Sequence, residues 1–155
     1  MKLFTGLLLL LLISSCKVEK EVSTEKEVDK IINRQNTLKI TAYKGSKDTE
    51  NSENYTIKDI KIIENSMLIE LHYLGGCGEH SFKMVGLSIP QASLQPVRQV
   101  QLIHTSINEE CKEEKRVLLE VDIRELAAQK IAGTKTYLNI DQWNSKIEYV
   151  YSEKL

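Results

Sequence analysis

The sequence of 155 residues lacks three features that would each point to a familiar class of function. It has no excess of basic residues, because 21 Lys and Arg stand against 22 Asp and Glu, so nothing indicates a nucleic-acid-binding surface. Aromatic residues make up only 6%, which is too few for a broad stacking surface for polysaccharide. The unbroken apolar run at residues 7–13 is also far shorter than the roughly 20 residues that a membrane-spanning helix needs.

The start of the chain nevertheless has the features of an exported protein. Lys2 and the apolar run after it suit the n-region and h-region of a signal peptide. The run ends in Ile-Ser-Ser-Cys at positions 13–16, which resembles the lipobox of bacterial lipoproteins. The resemblance implies cleavage before Cys16, a diacylglycerol on the Cys16 sulfur and usually an acyl chain on the new amine. Two or three acyl chains anchor a protein stably in a membrane, so we expect an anchored mature protein with a net charge of −2.

Three segments follow from these patterns: a signal peptide at 1–15, a charged tether at 16–35 and one domain at 36–155. Nine of the 14 residues at positions 17–30 are charged with both signs mixed, which is typical of a solvated tether. Acidic residues after a lipidated cysteine also resemble surface-export signals of some Bacteroidota lipoproteins. Lys17, rather than Asp, follows the cysteine, so we expect delivery to the outer membrane by analogy with known sorting signals.

The domain at 36–155 has the pattern of β-strands. Alternation at 37–43, two apolar stretches around a turn at 64–66, and further strands up to a hairpin at 135–152 predict about seven short strands. Asp122 is placed to cap one helical corner that would end at Gly133. These elements predict an all-β, immunoglobulin-like antiparallel β-sandwich with one short helical connection.

Alternation also assigns the three histidines to different environments. His72 lies opposite the apolar row of its strand, so we expect it on the exposed face. His80 continues an apolar row with Phe82 and Met84. His104 continues a row that contains Arg98, Val100 and Leu102.

His80 begins its strand and His104 ends its own, so the two side chains meet if those strands are antiparallel neighbours. Cys77 precedes His80 in the stretch GGCGEH, and Cys111 follows His104 by seven residues. The sequence therefore predicts that Cys77, His80, His104 and Cys111 share one neighbourhood.

Two kinds of chemistry suit these four residues. In an oxidising envelope, lipidation of Cys16 leaves Cys77 and Cys111 as an even pair for a disulfide, with the glycines letting the backbone turn tightly and the histidines hydrogen-bonded beside the bridge. The alternative is a Cys2His2 site for zinc or copper, since C-x2-H is good chelate spacing and both metals accept sulfur and imidazole. That site would need reduced thiols, and its H-x6-C spacing is longer than usual. The disulfide is the first prediction, and the metal site stays open beside it.

Catalysis has weaker support. No helix N-terminus is predicted beside either cysteine to lower its pKa, no G-x-S-x-G is present, and no carboxylate pair stands at a strand end. Carboxylates such as Glu79 and Asp122 are more often solvated or helix-capping than catalytic. We therefore predict a protein that is not an enzyme.

The spacing Y-x-G-G-C-x-x-H-x-F at 73–82, followed by Leu-Ile-His at 102–104, Cys111 and Val-Asp-Ile at 121–123, resembles small uncharacterised lipoproteins of the Bacteroidota. The resemblance covers about residues 55–150 and implies a lipid anchor, a β-sandwich and no particular activity. The predicted function is a non-catalytic binding or structural module on an envelope membrane, or else a metal-handling lipoprotein.

Overall fold

The computed structural model describes residues 37–48, 52–88 and 95–153, and this part of the chain is almost entirely β. The signal peptide and tether predicted at 1–35, with the lipidated Cys16, lie outside the described residues. The strands are β1 (Thr37–Thr41), β2 (Tyr43–Lys44), β3 (Tyr55–Ile63), β4 (Ser66–Gly75), β5 (Glu79–Gly86), β6 (Val97–Ile107), β7 (Glu113–Asp122), β8 (Lys135–Ile140) and β9 (Ile147–Val150). Among these residues no helix has the length and apolar character needed to cross a membrane.

The strands form two sheets with a single core between them. The first sheet has the order β1-β7-β4-β3, and the second has the order β2-β5-β6-β8-β9. The predicted β-sandwich is confirmed. Both sheets are mixed, because β1 with β7, β2 with β5, and β6 with β8 are parallel pairs.

One extended segment supplies an edge to both sheets. The predicted strand at 37–43 is divided at Ala42, whose N–H donates to the carbonyl of Asp122 at 2.9 Å. Residues before Ala42 pair with β7 in the first sheet, and residues after it pair with β5 in the second. This division is one reason why the described residues form nine strands where about seven were expected.

Period-2 alternation decides which side chains enter the core. Met67, Ile69 and Leu71 of β4 are fully buried, and β7 adds Leu119 and Val121 beside them. The second sheet contributes the facing side chains Phe82, Met84, Val100, Leu102, Leu138 and Ile140. The rows predicted for β4, β5 and β6 are confirmed.

The predicted helical corner is present but short. A single 3-10 turn spans Arg124–Leu126, and the carboxylate of Asp122 accepts the N–H of Arg124 at 3.1 Å. The turn stops because Ala127 leaves the helical region, with φ −57° and ψ 142°. The N–H of Ala128 then donates to the Thr136 hydroxyl at 2.8 Å, which ties the chain to β8 instead of continuing a helix.

Candidate functional site

The predicted meeting of the two histidines is confirmed at one end of the sandwich. β5 and β6 are antiparallel neighbours, with Phe82 opposite His104 and His80 opposite Ser106. His104 is only 1% exposed, and the side chain of His80 is 9% exposed. Nδ1 of His80 lies 2.9 Å from Nε2 of His104, so the two rings share a hydrogen bond.

A carboxylate completes this pair into a chain of three groups. Nε2 of His80 lies 2.7 Å from Oε2 of Glu109, in the loop between β6 and β7. An ionised carboxylate only accepts hydrogen bonds, so His80 donates through Nε2. In a neutral His80, Nδ1 then accepts the proton of His104 Nε2, and Nδ1 of His104 is left as a bare acceptor.

That last nitrogen is the unusual atom of the site. Nδ1 of His104 is buried and has no hydrogen-bond partner among the residues the structure describes. Burial and then the neighbouring His80 lower the pKa of His104, while Glu53 and the backbone of Asn54 act in the opposite direction. A neutral His104 follows from these surroundings.

Backbone N–H groups hold Glu109 as an anion. Gly76 and Gly78 donate to Oε2 at 2.7 and 3.2 Å, and Cys111 donates to Oε1 at 2.7 Å. These donors, with Gly76 first and the ring of His80 last, lower the pKa of Glu109 to about 2. Hydrogen bonds that favour the charged form have this effect. Glu109 therefore presents a fixed negative charge to His80.

The three glycines around Cys77 are explained by how closely the loop approaches these groups. A Cβ on Gly75 would lie 2.8 Å from both Oε2 of Glu109 and Cε1 of His80. A Cβ on Gly78 would lie 2.4 Å from the carbonyl oxygen of Ile107. Gly76 has φ +117°, which side chains rarely tolerate.

The predicted disulfide joins the two loops that form the site. Cys77 and Cys111 are bonded, with Cα atoms 5.5 Å apart and a sequence separation of 34. The distance between the two Cα atoms lies in the normal range for a disulfide. The bridge ties the glycine loop to the loop that carries Glu109. One covalent bond therefore joins the two loops whose N–H groups bind the Glu109 carboxylate.

The four ligands of the alternative Cys2His2 site do not gather around one point. Within the described ranges, the potential ligand atoms that lie within 4.8 Å of one another belong to Cys77, Glu109 and Cys111. His80 and His104 bond to each other rather than joining that group. Zinc binds cysteine as a thiolate, and sulfurs in a disulfide are not thiolates. The geometry therefore favours the disulfide over the metal site.

Aromatic rings surround the histidine pair. The Tyr73 ring centroid lies 4.6 Å from those of both His80 and His104. Phe82 stacks on His104 at 4.5 Å with an interplanar angle of 6°. The Tyr55 hydroxyl donates to the carbonyl of Leu102 at 2.7 Å, so this neighbouring ring is also fixed in place. The rings exclude water from one side of the pair.

A cleft of about 360 Å³ opens beside this cluster. His80, Tyr73 and the glycine loop form one part of its lining, and Lys115 and Arg116 lie on another. Lys115 pairs with Glu113 at 2.7 Å, and Arg116 pairs with Glu70 at 2.9 Å. Both cations have acidic partners, so the cleft offers a mixed polar and aromatic surface rather than a strongly positive one.

The third histidine is separate from this site, as predicted. His72 lies on the outer face of β4 and contacts Glu70 and Glu114 at 3.3 and 3.0 Å. Glu109 was not predicted from the sequence, since its loop also contains other charged residues. Its position two residues before Cys111 is the one signal that marks it.

Comparisons with known proteins support the fold. No protein-family model and no curated protein sequence matches the chain. The structure is similar to that of a NigD-like immunity protein from Bacteroides caccae ATCC 43185, with a TM-score of 0.54 and 17% sequence identity over 72% of this chain and 58% of that one. A protein of unknown function from Bacteroides vulgatus ATCC 8482 has a TM-score of 0.45 and 12% identity, over 77% of this chain and 57% of that one. The chain thus spans less than two thirds of either protein, and the likeness to the NigD-like protein shows the fold alone.

Proposed function

We propose that the protein is a lipid-anchored lipoprotein of a bacterial cell envelope, and that its β-sandwich acts as a non-catalytic binding or structural module. The observation that carries the proposal is the pairing of cysteines. The sequence has three, and the disulfide uses Cys77 and Cys111, which leaves Cys16 for the lipid. A disulfide also suits the oxidising compartment to which a lipobox directs a chain.

The proposed cellular location rests on the start of the chain. The signal-like run, the Ile-Ser-Ser-Cys lipobox and the resemblance to small Bacteroidota lipoproteins all favour an anchor at Cys16. Lys17 after the cysteine favours the outer membrane. The charged tether at 16–35 would hold the sandwich away from the lipid surface.

The state of the site groups supports a non-catalytic role. Both sulfurs are bonded to each other, so neither serves as a thiolate nucleophile. The two nitrogens of His80 are engaged by His104 and Glu109, and Nε2 of His104 is engaged by His80. Such a network holds two loops in a set conformation, and the cleft beside His80 and Tyr73 is the place where we expect a partner to bind.

The anchor is tested by replacing Cys16 with Ser and feeding cells an alkyne-tagged fatty acid. We expect the variant to lose the lipid label and leave the membrane fraction, because the acceptor sulfur is gone. The matched control replaces Cys77 and Cys111 with Ser together, and this variant keeps its label if it accumulates. A label that survives in Cys16→Ser would contradict the proposal, and sedimentation of the wild type with the inner membrane would contradict the outer-membrane address.

The state of the site is tested on protein purified from the periplasm as the Cys16→Ser variant. We expect no free thiol and no stoichiometric metal, because the two remaining cysteines are bonded to each other. Two free thiols with bound zinc or copper would instead favour the alternative function, a metal-binding lipoprotein that uses Cys77, His80, His104 and Cys111.

A further inference from the structure

The end of the sandwich opposite the disulfide contains a buried cation. Arg98 lies near the start of β6 and is only 4% exposed. Its Nε donates to the carbonyl of Leu126 at 2.6 Å, Nη1 donates to the carbonyl of Leu87 at 2.6 Å, and Nη2 donates to the carbonyl of Ala127 at 3.3 Å. These bonds tie β6 to the 3-10 turn and to the end of β5.

The charge of Arg98 has no acidic partner within the described parts of the chain. All of its acceptors are backbone carbonyls, and the burial that lowers its pKa is not offset by a carboxylate. A guanidinium has five N–H donors and remains charged, so two donors are left after these three bonds. Buried charges in proteins are nearly always paired, which makes an unpaired one informative.

The local sequence makes room for this side chain. A Cβ on Gly86 would lie 2.7 Å from Cδ of Arg98 and 2.5 Å from Cδ2 of Leu126. A larger residue at position 86 would have to displace the side chain of Arg98 or of Leu126. The missing side chain at Gly86 therefore leaves the space that Arg98 occupies.

Arg98 also lines a cavity of about 510 Å³. Among the described residues, the other lining residues are Lys44, Gly45, Ser46, Gly86 and Ser88. Together with Arg98, this part of the lining combines two cations with two hydroxyls and has no acidic side chain. Lys44 is exposed and forms no ion pair among the described residues, although its charge acts on Glu125, which is bonded to Lys130. The volume lies in the range of small-molecule sites.

We propose that this cavity binds an oxyanion, the carboxylate or phosphate of a small molecule, between Arg98 and Lys44 with the hydroxyls of Ser46 and Ser88 as further donors. Nη1 and Nη2 each keep one N–H after their bonds to Leu87 and Ala127, and a planar guanidinium suits an oxyanion. The formal net charge of −1 provides no general attraction for anions, so any affinity must be local. The site is independent of the proposed lipid anchor and of the disulfide end.

The test uses the full chain as Cys16→Ser, labelled with nitrogen-15, and titrates inorganic phosphate at constant ionic strength with sodium chloride as the balancing salt. We expect a saturable shift of the Arg98 Nε–H signal and a rise in the unfolding temperature. Acetate in a parallel titration distinguishes the two oxyanions: the tighter of the two identifies the class. A shift that does not saturate, or that chloride alone reproduces, would overturn the proposal.

Two variants decide whether the cavity is responsible. Lys44→Gln should weaken phosphate or acetate binding about fivefold, the effect of roughly one kcal/mol from one surface charge near the anion. The matched control is Lys58→Gln on β3 in the other sheet, which should leave the affinity unchanged. Equal effects of the two variants would overturn the site. Arg98→Lys should reduce the affinity at least tenfold because the fork is lost, and if this variant does not fold, the Lys44 and Lys58 pair still decides.

Discussion

The two ends of β6 bury an ionisable side chain in two different ways. His104 and Arg98 belong to the same inward row, six residues apart and thus about 20 Å along the strand. At the His104 end, a chain of hydrogen bonds through His80 reaches the anion of Glu109. At the Arg98 end, the hydrogen-bond acceptors of the guanidinium within the described ranges are all backbone carbonyls.

The difference shows what is required to keep an anion in a fixed position beside the core. Glu109 remains an anion near the core because three backbone N–H groups converge on it, and they converge because glycines and a disulfide bring two loops together. No such loop pair faces Arg98 in the described ranges. One end thus contains its own fixed anion beside neutral imidazole, whereas the cation at the other end is left for an anion from outside.

The largest effect should come from opening the disulfide. The bridge closes a loop of about 35 residues, and the chain-entropy argument assigns it roughly 4 kcal/mol of the free energy of unfolding. We expect the double variant Cys77→Ala with Cys111→Ala to lose about that much in urea unfolding, and reductant to do the same to the wild type.

Two controls separate this loss from other causes. Cys16→Ser should leave the free energy of unfolding unchanged, and a chelator should have no effect on the wild type. Destabilisation by the chelator without destabilisation by the reductant would show that a metal, and not the bridge, closes this end.

The second largest effect should come from removing the buried charge of Arg98. Arg98→Met removes three hydrogen bonds from a charged donor and leaves the carbonyls of Leu87, Leu126 and Ala127 without it, so we expect a loss of about 3 kcal/mol. Arg116→Met is the matched control, because Arg116 is half exposed and its ion pair with Glu70 should contribute less than about 1 kcal/mol. Equal losses in the two variants would show that burial of Arg98 has no special role.

The third effect concerns the anion at the His104 end and depends on pH. The pKa of Glu109 is lowered from 4.5 to about 2, so its contribution to stability is present above about pH 4.5 and is lost as the pH falls through about 2. We expect the urea midpoint of the wild type to fall across this window and that of Glu109→Gln to fall less steeply. Glu110→Gln, at the exposed neighbouring position, serves as the control and should follow the wild type.

The smallest effect should come from removing the histidine whose Nδ1 has no partner. His104→Phe keeps the ring that stacks on Phe82 and removes a buried Nδ1 that has no partner among the described residues, but it also removes the hydrogen bond to His80. We therefore expect a loss of about 1 kcal/mol. His104→Ala leaves a cavity and should cost about 3 kcal/mol. A loss in His104→Phe as large as in His104→Ala would mean that the bond to His80, rather than the packing of the ring, stabilises this end.

Much of the fold was predictable from alternation alone. The rows of β4, β5 and β6 place His80, Phe82 and His104 correctly because side chains of a strand alternate strictly between its faces. The pairing of Cys77 with Cys111 was predictable because those strand ends meet and few cysteines are available. The parallel pairing of β1 with β7 and of β2 with β5 was not predictable, since the choice of a neighbouring strand depends on contacts between distant segments.

By itself, the sequence determined the alternating rows, the turns, the cysteine pair and the charged and apolar segments at the start of the chain. These follow from local geometry and from the types of residues present. The assembled fold, in contrast, makes Glu109 the anion of the site and buries Arg98 with no carboxylate partner in the described parts of the chain. Both outcomes depend on which backbone N–H and C=O groups converge on a side chain, and loops that are distant in the sequence bring those groups together.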